Sequence, residues 1–185
     1  MFKSLRSTLS LVLSLSLVFA LSACSGNTTA GLNSFQSPDG RYGFLYPTGW
    51  TRVSVSGGPQ VVFHDLINSD ETLSLVVSDV GEDISLEELG SPNDVGERLM
   101  SEVIAPEGSD RDVELVSAKE RQNSDHKFYD LEYKIHLENR DRHELATFVV
   151  DRGYLYTLAT STNENRWPKV KGLFLKVINS FTFLI

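Results

Sequence analysis

Tyr129-Asp130-Leu131-Glu132-Tyr133-Lys134-Ile135-His136-Leu137 puts large apolar residues at every odd position and charged or polar ones at every even position. Side chains along a strand point alternately to opposite faces, so this period of two predicts an antiparallel strand with one core face and one wet face. Asn139-Arg140-Asp141-Arg142 then turns into a second strand from His143 to Val150. Asp151-Arg152-Gly153 turns into a third from Tyr154 to Ser161. Three strands joined by short turns make a meander, and the rest of the chain is read around it.

Upstream, Pro38-Asp39-Gly40 separates two strand-like pieces within Phe35 to Phe44, a hairpin signal because proline presets the first turn torsion and glycine accepts positive φ. Short strands are expected at Trp50 to Val55, Gln60 to His64, Thr72 to Ser78 and Val113 to Lys119. The period changes after Ser91. Pro92 suits a first helical turn, and Val95, Leu99 and Val103 recur every four residues, predicting a helix from Pro92 to Ile104. A last helix is expected from Asn163 to Ser180, with Trp167, Val170, Phe174, Val177 and Ile178 on its apolar side. Sheet plus flanking helices, with no regular strand-helix-strand alternation, gives an α+β domain around an antiparallel sheet.

At the N-terminus, Lys3 and Arg6 precede an apolar run from Leu9 to Leu21, too short for the roughly 20 residues of a membrane span. Leu21-Ser22-Ala23-Cys24 closes that run with the pattern of a lipoprotein processing site. Residues 1–23 are therefore read as a signal peptide and Cys24 as the acylated first residue. Each buried methylene contributes about 0.8 kcal/mol, so two or three acyl chains anchor firmly where one does not. Residues 24–34, small and polar, are read as a flexible tether.

Composition limits the function classes. Cleavage before Cys24 removes two positive charges and takes the formal net charge from -8 to -10. A negative surface argues against nucleic acid and against electrostatic adhesion to anionic lipid. Cys24 is the only cysteine, and with it spent on lipid a disulfide, cysteine-ligated zinc, iron-sulfur clusters and thiol catalysis are excluded.

No nucleophile elbow, phosphate-binding loop, dinucleotide fingerprint or His-Glu-x-x-His motif is present. His64 and Asp65 are neighbours on a strand and point to opposite faces, so they read as a strand end rather than a catalytic dyad. His136 and Glu138 share a face, with Asp141, His143 and Glu144 just beyond the turn. That set offers imidazole and carboxylate donors suited to a divalent ion, against a default of a solvated polar face. Asp79, Glu82, Asp83, Glu87 and Glu88 match no EF-hand spacing and read as a solvated acidic loop. Trp50, Trp167, Tyr154 and Tyr156 are expected in the core.

Several separated segments coincide with one family: Tyr42-Gly43-Phe44-Leu45-Tyr46-Pro47-Thr48-Gly49-Trp50, Val61-Val62-Phe63-His64-Asp65, Leu89-Gly90-Ser91-Pro92, and Gly153-Tyr154-Leu155-Tyr156-Thr157-Leu158 with Arg166-Trp167 and Ser180-Phe181. The chain resembles the PsbP family, in its cyanobacterial lipoprotein form, over residues 35–185. The resemblance implies a PsbP/Mog1-like α-β-α sandwich with a central antiparallel sheet. It implies a monomeric, non-enzymatic extrinsic protein of photosystem II on the lumenal side of the thylakoid membrane. The partners it implies are photosystem II subunits or assembly intermediates, with the membrane engaged through the lipid anchor and no nucleic acid.

Within that reading, assembly or stabilisation of the oxygen-evolving complex comes first. Stoichiometric retention of calcium and chloride comes second, because the longer N-terminal segment that plant members use has no counterpart between Cys24 and Phe35. A periplasmic lipoprotein with an unrelated client is the alternative from a different class. The family's candidate metal contacts fall on His143 and Glu164, so the resemblance implies a site there for zinc, manganese or calcium.

Overall fold

The computed structural model describes residues 31–123 and 125–184, so the expected signal peptide and the lipidation site Cys24 lie outside the described residues. The strands are β1 (Leu32–Gln36), β2 (Tyr42–Pro47), β3 (Trp50–Val53), β4 (Val61–Asp65), β5 (Thr72–Asp79), β6 (Asp112–Asn123), β7 (His126–Leu137), β8 (Arg140–Asp151), β9 (Tyr154–Asn163) and β10 (Thr182–Phe183). The helices are α1 (Pro92–Leu99) and α2 (Trp167–Asn179).

Seven strands form one antiparallel sheet in the order β3-β4-β5-β9-β8-β7-β6, with the meander β6 to β9 as its larger part. A smaller sheet has the order β1-β2-β10. The β8–β9 turn is made by Arg152 at φ 47 and Gly153 at φ 79, two consecutive left-handed residues whose twist suits a two-residue hairpin.

Register assigns the two faces of the large sheet. Tyr129, Leu131 and Tyr133 lie opposite Phe148, Ala146 and Glu144, and cluster with Val95, Leu99 and Met100 beneath α1. Ser91 caps α1: its hydroxyl accepts from the Asp94 amide, and the Asp94 carboxylate accepts from the Ser91 amide. The Tyr133 hydroxyl donates to the Gly96 carbonyl at 3.1 Å and pins the helix to the sheet. On the opposite face Leu73, Leu75, Leu145, Val149, Tyr156 and Leu158 pack against α2 and the small sheet. Trp167, Val170, Phe174, Val177 and Ile178 recur at helical spacing, so α2 presents a continuous apolar stripe. Helix, sheet and helix form the expected α+β sandwich. Among the described residues no helix is long and apolar enough to cross a membrane.

Four expectations need correction. The helix starting at Pro92 is α-helical only to Leu99, and Met100–Ile104 widens to a π turn closed by the Ala105 amide on the Met100 carbonyl at 2.9 Å. The final helix starts at Trp167, behind a 3-10 turn over Glu164–Arg166. Leu32, Asn33 and Ser34, assigned to the tether, belong to β1, where Leu32 pairs with Pro47 and buries its side chain. Tyr154 is 38% exposed rather than core, whereas Tyr156, Trp50 and Trp167 are buried.

Candidate functional site

One end of the large sheet gathers the C-terminal end of β9, the N-terminal ends of β5 and β8, the Glu164–Arg166 turn and the start of α2. His143 is central. It lies on the α2 face of β8 at 1% exposure, because its β7 and β9 neighbours Lys134 and Thr162 hold it inside the sheet and Trp167 lies over it. The imidazole stacks on the Trp167 ring with centroids 3.9 Å apart and planes 14° from parallel. Its Nδ1 is 2.6 Å from Glu164 Oε2 and its Nε2 is 2.8 Å from Glu132 Oε1. Ionised carboxylates offer only lone pairs, so the doubly protonated ring satisfies this geometry and a neutral ring leaves one nitrogen without a proton to share. Lys171 approaches Glu132 at 3.4 Å and Lys134 approaches Glu164 at 3.8 Å, adding cations to the two carboxylates.

A second knot lies beside it. Glu71, only 3% exposed, accepts from the Arg166 guanidinium and from Thr162 Oγ1. Asp70 accepts from Arg140 at 2.8 Å and from the Asn163 amide at 3.0 Å, while Arg142 donates to the Asp70 carbonyl. The Asn163 hydrogen bond, followed by the two arginine charges, holds the Asp70 carboxyl below the usual aspartate range. A polar recess of about 460 Å³ opens outside, lined by Asn139, Arg140, Asp141, Asn163, Glu164 and Asn165.

The five hairpin residues do not converge. His136 and Asp141 pair with each other at 2.9 Å on the surface, His143 is buried, and Glu144 faces the α1 side opposite Tyr133. The even-numbered face of β7 is wet only near the turn, at His136, and is covered at Asp130 and Glu132. Asp130 accepts twice from Arg121 and once from Thr147, and its side chain is 20% exposed, while that of Glu132 is 14% exposed. In the acidic segment Glu87 pairs with Lys127 and Glu88 accepts from the Ser85 amide, so these groups serve loop structure. Asp65 accepts from the Ile67 amide and the Asn68 side chain, away from any partnership with His64.

His143 and Glu164 do meet, as the resemblance implied. Their arrangement is a hydrogen bond. A zinc ion needs about 2.0–2.2 Å to each donor, and a 2.6 Å gap between nitrogen and oxygen leaves no room for one between them. The other ring nitrogen is taken by Glu132, and among the described residues no group of three His, Cys, Asp or Glu is placed to hold a metal. The site as it stands does not fit a divalent ion.

Glu132, Lys171 and the Glu71–Arg166 pair went unnoticed in the sequence. Parity was the available signal, since Glu132 lies opposite Leu145 and so shares a face with His143 two residues away. Residues 30–183 match PsbP. The chain belongs to the PsbP family. It is 41% identical over 185 residues to CyanoP of Synechocystis sp. (strain ATCC 27184 / PCC 6803 / Kazusa), covering 98% of both chains. It is 42% identical over 170 residues to CyanoP of Thermosynechococcus vestitus, covering 89% of this chain and 92% of that one. Among solved structures, the solution structure of cyanobacterial PsbP from Synechocystis sp. PCC 6803 superposes with a TM-score of 0.73 at 40% identity, over 89% of this chain and 99% of that one. The large antiparallel sheet with its helices is thus a PsbP-family fold.

Proposed function

We propose that this chain is a lipid-anchored, non-enzymatic extrinsic protein of photosystem II on the lumenal side of the thylakoid membrane, acting in assembly or stabilisation of the oxygen-evolving complex. The carrying observation is identity of 41% along nearly the whole length of a cyanobacterial PsbP, rather than in one motif. The site supports a binding role. His143 has both ring nitrogens engaged by carboxylates, so it offers no free base. Around His143 the cations and anions are paired within the domain, which favours a rigid end that docks as a unit.

Cys24 acylation would confine the domain near a membrane-embedded partner and raise its effective concentration there, so that weak docking contacts suffice. Affinity purification of the tagged protein from mildly solubilised thylakoids, followed by mass spectrometry, tests the reading. Reaction-centre precursors among the captured subunits support assembly, and mature oxygen-evolving complexes support ion retention. Absence of photosystem II subunits overturns the proposal. Zinc or manganese binding at His143 and Glu164 is addressed by isothermal titration. The geometry favours identical heats for the wild type and His143→Ala.

A further inference from the structure

The β4–β5 hairpin ends in an apolar pair. Leu66 is 65% exposed and Ile67 90% exposed, the highest values among the large apolar residues described. The loop behind them is closed on itself. Asp65 accepts from the Ile67 amide at 3.0 Å and from the Asn68 side chain at 2.7 Å, the Glu71 amide donates to the Asn68 carbonyl, and the Asp65 amide donates to the Glu71 carbonyl. Backbone polarity is thus spent inside the loop, and two apolar side chains stand outward on a preorganised tip. Single exposed apolar residues are ordinary, but an adjacent pair on a closed hairpin is less so.

Its place in the fold gives the pair meaning. The first described residue, Gly31, accepts from the Thr48 amide at 2.9 Å, and Leu32 pairs with Pro47. Two residues beyond Thr48, Trp50 pairs with Asp65, next to the apolar tip. The domain therefore begins at the end of the molecule that carries Leu66 and Ile67. Six residues lie between Cys24 and Gly31, and the seven steps from one to the other, at no more than about 3.6 Å each, span at most about 25 Å. An anchor at Cys24 brings this end of the domain within reach of the bilayer. The nearby arginines Arg140 and Arg142 are engaged by Asp70, so recognition here would be apolar rather than electrostatic.

We propose that Leu66 and Ile67 insert into the interfacial layer of a lipid bilayer, forming a second membrane contact that fixes the orientation of the domain relative to its acyl anchor. The inference rests on the lipid-anchored reading, which sets the end facing the membrane.

The test supplies the anchor chemically. The chain from Cys24 onward keeps every described residue, and its single cysteine is coupled to a maleimide phospholipid in phosphatidylcholine vesicles. Ile67→Trp is compared with Leu184→Trp, each against the parent chain, whose own Trp50 and Trp167 are buried. Leu184 is also exposed but hydrogen-bonds to Arg41, at the opposite end of β2 from Pro47. Brominated phosphatidylcholine should quench the tryptophan introduced at position 67 and shift its emission to the blue, and should leave the one at 184 unchanged, since interfacial burial reaches about 5–10 Å into the headgroup boundary. Equal quenching at both positions, or none at 67, overturns the proposal. So does protection of position 67 by photosystem II membranes with no quenching on protein-free vesicles, which would assign the tip to a protein partner. Intact mass of the native protein separately reports acylation of Cys24, so failure of the anchor and failure of the inserted tip are read by different measurements.

Discussion

The β7–β8 hairpin carries two histidine-carboxylate pairs that differ mainly in depth. His136 and Asp141 meet at 2.9 Å near the turn, with side chains 47% and 52% exposed. His143 meets Glu132 and Glu164 a few residues further in, at 1% exposure and under an indole ring. Water screens the first pair and solvates either partner if the other is lost. In the second, His143 is sealed from water and Glu132 nearly so, while Glu164 keeps a third of its side chain exposed, so desolvation makes loss of the imidazole costly chiefly at Glu132. Depth rather than residue type separates a surface ornament from a structural centre.

The sharpest way to break this comparison is His143→Ala. It leaves Glu132 and Glu164 facing each other and unstacks Trp167, so we expect a loss of about 3–5 kcal/mol in urea unfolding. A loss no larger than that of a surface substitution would show that the buried network contributes only geometry. Glu144→Gln sharpens the contrast from the other face of the same strand. Burial pushes the Glu144 carboxyl above the usual glutamate range. A carboxyl whose folded pKa is raised favours the folded state at low pH, and that contribution is lost as pH rises through the folded value. The variant should therefore gain melting temperature over the wild type as pH rises from 4 to 8, on the order of a few degrees at most. A constant difference across that range would contradict the burial argument.

The smallest effect is expected at the surface. The Asp141 hydrogen bond raises the His136 pKa above the usual histidine value, so its stabilisation is present at low pH and lost as pH rises through the raised value. Proton NMR titration should find His136 titrating higher than in Asp141→Asn, with the gap narrowing in high salt. Above the raised His136 value, where that stabilisation is lost, the melting temperature of Asp141→Asn should match that of the wild type.

Much of the fold was legible because the meander carries its own instructions. Alternation in β7, two left-handed residues at Arg152 and Gly153, and a proline after the Ser91 cap each act locally. Features set by distant partners were not. The first three residues of β1, Leu32 to Ser34, look like polar linker until Leu32 finds Pro47. The π turn at Met100–Ile104 contains Ser101, whose hydroxyl bonds back to the Glu97 and Arg98 carbonyls and competes with the helix. Glu164 came from family resemblance alone, and His143 was reached both through the hairpin donor set and through the resemblance. The third member, Glu132, was read as solvated because strand parity names a face without saying what covers it. Here α2 covers it, bringing Lys171 to the same carboxylate.

The small sheet places the latest-made residues beside some of the earliest. β2 lies between β1 and β10, and the Leu45 amide donates to Ser180 Oγ across 135 positions of sequence at 2.8 Å. The meander needs only neighbours, but this clasp waits for the ribosome to finish both α2 and β10. Closing so long a loop costs entropy that few contacts return at first, so the clasp is expected to shut last and to open first. A nascent or partly translocated chain that lacks β10 therefore exposes Phe44 and Phe181, which are buried in the finished domain, and remains threadable until that strand arrives.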